Sequence, residues 1–162
     1  MLRGYFVLLL SLGLPLSSTA QTAAVEPKPT AEVSKFVMGT RLGYITCSEK
    51  YKTYLEKWEL YALMTEGQRE PRGTPPAVSD VSDCIHQTSL RGSALYRDAV
   101  KSADTPKARA AFSEYMTAWD AAIKGIRKQE RESVQQYRAR QKKVEERLDA
   151  LQSRLETAAP GA

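Results

Sequence analysis

The chain has two cysteines, Cys47 and Cys84, and they stand on either side of GQREPRGTPPAVS, residues 67–79. That arrangement limits the fold more than any other feature. Three prolines and two glycines within thirteen residues exclude regular structure in the run itself. Both flanks, in contrast, carry helical periodicity.

Whether the cysteines pair depends on the compartment, and the N-terminus bears on that. MLRGYFVLLLSLGLPLSSTAQ has a basic residue at Arg3, an apolar run from Tyr5 to Leu14 and small residues at Ser18-Thr19-Ala20. It reads as a secretory signal peptide over 1–20, with cleavage before Gln21. A predominantly apolar run of ten residues falls short of the ~20 a spanning helix needs. No second long apolar run follows, so no stable membrane span is expected after cleavage. An exported chain with two cysteines is expected to join them, Cys47 to Cys84. The expected location is a bacterial periplasm or the secreted space.

The crosslink then constrains geometry. The first helix is expected over 34–66, with Gly67 as its stop. Its stripe is Tyr44, Cys47, Tyr51, Tyr54, Trp58 and Tyr61, widened by Leu55 and Ala62. Gly39 and Gly43 lower helix propensity, so the regular part is expected to begin near Gly43. Cys47 lies ~28 Å before the helix end, while Cys84 lies only ~6 Å into the next helix. A short turn could not bring them together. Thirteen extended residues reach ~43 Å, so the linker is expected to run back and start helix two beside Cys47.

Ser79 or Asp80 is expected to cap that second helix. Val81, Ile85, Thr88, Gly92, Leu95 and Ala99 share its inner face, which runs to about Ala103. Asp104-Thr105-Pro106 is a stop and restart, with proline at the first helical position. The third helix carries Ala108, Phe112, Tyr115, Met116, Trp119, Ala122 and Ile123. Gly125 marks a break or kink. Beyond it Val134, Tyr137, Gln141, Val144, Leu148, Leu151 and Leu155 follow a heptad pattern. Half of residues 127–156 are charged, so this last helix is coiled-coil-like or an edge helix. One helix from Pro106 to Glu156 is the alternative, because the apolar phase drifts by only one residue across the gap. No strand pattern occurs. The expected fold is all-α, a small bundle of about four helices with one disulfide. Residues 21–33 form a flexible tether, 34–158 the single domain and 159–162 a disordered tail.

Function is less legible. The net charge is +5, or +4 without Arg3. Basic residues are mixed with nearly as many acids, and export argues against nucleic acid. His86 is the only histidine and follows Asp83 by three. Di-iron bundles need a second Glu-x-x-His, which is missing. Cys84-Ile85-His86 is not a haem-attachment motif. A metal or haem carrier using His86, with Met38, Met64 or Met116, is one alternative, although no cofactor is expected. Ser82, Asp83, His86 and Ser89 share one helix, whereas a triad is assembled from separate segments. A carboxylate-dependent hydrolase is a second alternative. No acid stands in an apolar setting that would raise its pKa, so an enzyme is not expected.

The aromatic stripe is the unusual feature. Tyr51, Tyr54, Trp58 and Tyr61 either pack the bundle or grip a partner, since such rings tolerate a half-wet position. The expected function is therefore an exported, non-enzymatic binding or adaptor module for an envelope or extracellular protein or polymer. It would be a monomer, or a homodimer through the C-terminal helix.

Overall fold

A computed structural model of the chain describes residues 30–64 and 77–159. They form four helices: α1 (Ala31–Leu63), α2 (Ser79–Lys101), α3 (Pro106–Lys124) and α4 (Val134–Ala158). Among the described residues there is no strand. The expected leader, residues 21–29 of the tether, the linker over 67–76 with Gly67, and residues 160–162 lie outside them.

Cross-helix pairs give the topology. Cys47 is bonded to Cys84, with 5.7 Å between their α-carbons. Gly43 meets Thr88, Gly39 meets Leu95 and Phe36 meets Tyr96. As α1 numbers fall, α2 numbers rise, so the two are antiparallel. Phe36 touches Phe112, and Thr40 touches Tyr115 and Trp119, so α3 runs parallel to α1. Arg41 pairs with Asp149 and Tyr51 with Tyr137, so α4 is antiparallel again. The result is an up-down-up-down bundle. Helix two does start beside the middle of α1, as the crosslink requires.

The two glycines of α1 do not delay the helix. It is regular from Ala31, three residues before the expected helix start, inside the expected tether, and well before Gly43, where its regular part was expected to begin. Thr30 caps it, its hydroxyl accepting from the Val33 amide at 3.1 Å. Val33 and Phe36 are each 1% exposed and anchor the first turns in the core. Tertiary packing thus outweighs local propensity. Gly39 and Gly43 have a different role: a Cβ on either would sit 2.5 Å from Leu95 Cδ1 or Thr88 Cγ2. They let α2 approach closely. At the other end α1 stops at Leu63, and Met64 is extended.

Caps account for the remaining boundaries. Neither Ser79 nor Asp80 caps α2; Val78 occupies that position without a side-chain bond, and Ser79 is the first helical residue. Thr105 caps α3, accepting from the Ala108 amide at 3.1 Å, with Pro106 first in the helix. Gly125 ends α3, and the chain then turns through 126–133. Ser133 and Gln136 form a reciprocal capping box that opens α4. The continuous-helix alternative is thereby excluded.

The core runs along the bundle axis. Phe36, Tyr44, Phe112, Tyr115, Trp119, Ile123 and Ile126 are all 1% exposed or less. Of the α4 seam, Tyr137, Leu148, Leu151 and Leu155 are buried. Thr40 is buried too, and its hydroxyl lies 2.8 Å from the Phe36 carbonyl and 3.3 Å from the Tyr115 hydroxyl. Trp119 Nε1 donates to the Thr40 carbonyl at 2.8 Å. The same ring lies against Gly92, where a Cβ would be 2.2 Å from Cη2.

Candidate binding face at the outer end of helix α1

The crosslink sits near the middle of α1, while α2 begins only five residues before Cys84. Antiparallel pairing therefore brings α2 to its start near Lys52. The outer part of α1 continues past it for about 16 Å. On the opposite flank α4 begins at Val134, three residues before Tyr137, whose ring meets Tyr51. From about Trp58 outward, no described helix covers α1. Leu60 and Leu63 are 55% and 82% exposed.

The four aromatic residues singled out above form a continuous ladder along this end. Tyr51 stacks on Tyr54 with ring centroids 5.6 Å apart. Tyr54 meets Trp58 edge-on at 6.4 Å, and Trp58 meets Tyr61 edge-on at 5.7 Å. Burial falls along the series. Tyr51 is 5% exposed and belongs to the core. Tyr54 packs against that core from its edge. Trp58 and Tyr61 are half-buried and are not among the residues packed on it. Trp58 Nε1 is shielded from solvent and has no acceptor among the described residues. Beside the ladder lies a groove of about 900 Å³ between Tyr54, Leu60, Tyr61 and Met64 of α1 and Asp80 and Val81 of α2.

The inner end of the ladder is held by the α3–α4 turn. The Lys128 amide donates to the Tyr51 hydroxyl at 2.8 Å. Burial pushes the Tyr51 phenol above its ordinary pKa. The Tyr137 phenol is raised by the same cause. Arg140 stands over the Tyr137 ring, 5.5 Å from its centroid. Its guanidinium donates to both Glu132 carboxylate oxygens, at 2.7 and 2.8 Å. It also donates to the carbonyls of Gly125 and Arg127, at 2.6 and 2.9 Å. One side chain on α4 thus ties down most of the turn.

This clamp predicts a pH dependence. The hydrogen bonds from Arg140 lower the Glu132 pKa from 4.5 to about 2. A carboxylate with a depressed folded-state pKa adds stability above its unfolded value. That contribution is lost as pH falls through the interval from 4.5 to about 2. Urea unfolding of the wild type and Glu132→Gln across this interval is the check. The gap between them should be full at pH 6 and above and should close toward pH 2. A gap independent of pH would dismiss the clamp as a source of stability.

The other candidate residues are scattered or exposed. His86 and Asp83 are both exposed on α2. Ser82 accepts a hydrogen bond from Arg127, and Ser89 is half-buried. Met38 is 70% exposed, whereas Met116 packs on the core. Among the described residues no three His, Cys, Asp or Glu side chains gather where they could hold a metal. Sequence reasoning missed the clamp, because Glu132 and Arg140 lie eight residues apart across a helix start and follow no helical spacing. Tyr137 was visible only as a seam residue, not as the foot of the ladder. No known protein family, curated protein or solved structure matches this chain. Fold and disulfide define its class: a small all-α four-helix bundle stapled once between its first two helices. Among the described residues no helix is long and apolar enough to cross a membrane.

Proposed function

We propose that this is an exported, non-enzymatic binding or adaptor module that holds an envelope or extracellular protein or polymer on the outer end of α1. The observation that carries the reading is the point where the aromatic ladder leaves the core, between Tyr54 and Trp58. Rings that only stabilise a bundle stay under a neighbouring helix. Trp58 and Tyr61 continue past the starts of α2 and α4, beside a groove edged by Leu60 and Met64. Large amphipathic rings on a preformed helix are effective contact residues, because little side-chain entropy is lost when they are covered. Glu132, for its part, is not poised as an acid catalyst. An acid catalyst needs a raised pKa, and Arg140 holds this carboxyl down.

The test is in-cell crosslinking from a photoreactive residue at Tyr61, identification of what is captured, and binding measured with the purified pair. Trp58→Ala should weaken that binding by roughly 30-fold, about 2 kcal/mol. Its thermal midpoint should move little, as expected for a side chain outside the core. If Trp58→Ala instead unfolds the protein and nothing defined is captured, the ladder is core and the reading fails.

A further inference from the structure

The two sulfurs of the crosslink sit in different surroundings. Cys47 is 0% exposed and belongs to the core. Cys84 packs against that core from its edge and keeps part of its surface open among the described residues. On this side a groove of about 570 Å³ runs between α1 and α2, with Gly43 and Thr46 on one wall and Cys84 and Thr88 on the other. Cys84 lines it and Cys47 does not. The charges along the groove balance, Lys50 and Arg91 against Asp80 and Asp83, so an incoming anion is not turned away.

A disulfide opens when a thiolate bonds to one sulfur and expels the other, and the choice of sulfur follows access. With the fold intact, only Cys84 has an open side. A second observation concerns the sulfur that would leave. Thr88 Oγ1 lies 3.3 Å from Cys47 Sγ. A sulfur in a disulfide carries no proton, so the hydroxyl is the donor. When Cys47 is expelled as a thiolate, that hydrogen bond becomes charge-assisted. Burial in apolar surroundings opposes a thiolate. The Thr88 hydroxyl offsets part of that cost at the moment the bond breaks.

We propose that Cys84 is a thiol–disulfide exchange site, the sulfur at which an external thiolate enters, with Cys47 as the leaving sulfur. The incoming sulfur forms a bond to Cys84 Sγ while the bond from Cys84 to Cys47 breaks. The electron pair of the broken bond stays on Cys47 Sγ, which then takes a proton from water. A monothiol stops at this mixed disulfide. A dithiol goes further: its second thiolate displaces Cys84 Sγ, so the dithiol is oxidised and both cysteines are left as thiols. In reverse, an oxidised dithiol installs the crosslink by the same route, holding Cys84 first while Cys47 closes the bond. The α-carbons of the pair are only 5.7 Å apart, which places Cys47 within reach for that closure. The exchange site does not rest on the binding face at the outer end of α1.

The test uses reduced glutathione on the native protein at about pH 8, where thiolate is available. Early samples are quenched in acid, alkylated with N-ethylmaleimide in denaturant and mapped by mass spectrometry. Glutathione should be found on Cys84 at least about tenfold more often than on Cys47. In urea beyond the unfolding transition the preference should fall to about twofold or less, because both sulfurs are then open. Thr88→Val removes the hydroxyl and keeps the branched shape. It should slow opening by roughly threefold to tenfold, whereas Thr88→Ser should open at nearly the wild-type rate. Circular dichroism should be unchanged in both. Equal labelling of the two cysteines in the folded protein would overturn the proposal. So would an opening rate that rises with urea as steeply as global unfolding does. A rate that Thr88→Val leaves unchanged would overturn the assignment of Cys47 as the leaving sulfur.

Discussion

Trp119→Ala is expected to reduce the unfolding free energy by about 3–5 kcal/mol, the largest single loss any core position should give. The ring is fully buried. It lies against Gly92 of α2 and donates to the Thr40 carbonyl of α1 at 2.8 Å, so it joins three helices. Thr40 keeps its own helical hydrogen bond, so the missing ring volume should dominate the loss. Against a typical domain stability of about 5–15 kcal/mol, this is a large fraction. Urea titration should show a lower midpoint with an unchanged slope. The same contact can be read from the other side. Gly92→Ala places a methyl 2.2 Å from the ring. Overpacking of that kind costs about 1–3 kcal/mol, and alanine recovers at most about 1 kcal/mol of helix propensity. Overpacking therefore wins in the wild type. In the Trp119→Ala background the clash is gone, and Gly92→Ala should become stabilising by up to about 1 kcal/mol. A cycle showing no such change of sign would mean that the ring and the glycine do not act as a pair.

Removing the Cys47–Cys84 crosslink should cost nearly as much. It closes a sequence separation of 37 residues. The loop-entropy relation puts the stabilisation at about 4 kcal/mol, acting mainly on the unfolded chain. Cys47→Ala with Cys84→Ala is the cleaner comparison than reduction, because Cys47 is fully buried and two thiols would crowd the site. The midpoint in urea should fall, and the slope should rise as the unfolded chain becomes less compact. Hydrogen exchange should show the change first over residues 79–88, where α2 begins without a side-chain cap. Uniform loosening of all four helices would argue that the crosslink does not locally position α2.

Much of this architecture could be read from the sequence, and the reasons differ by element. The α2–α3 joint was legible because Thr105 and Pro106 are neighbours and act through local backbone chemistry. The α4 seam and the placement of the start of α2 beside Cys47 were legible because heptad spacing and crosslink reach are properties of the chain alone. The start of α1 was not. Gly39 and Gly43 look like weak points locally, and only the approach of Leu95 and Thr88 reveals what they permit. The start of α2 failed for the opposite reason: Ser79 and Asp80 are good caps, yet the helix opens at Val78, without one. At the candidate face, periodicity identified Tyr51, Tyr54, Trp58 and Tyr61 as one stripe. It could not say where burial ends along that stripe, because this depends on where α2 and α4 begin. The Arg140 clamp and the outward Leu60 and Leu63 were likewise invisible, since both are defined by what neighbouring helices do or do not cover.

The staple has one more consequence, for how the chain responds to a protease. Everything between Cys47 and Cys84, including the outer half of α1, belongs to a covalently closed ring. A protease that cuts once inside that ring opens it without dividing the molecule. The aromatic end of α1 can therefore be nicked while both pieces stay attached to the same bundle, and only a reductant would part them.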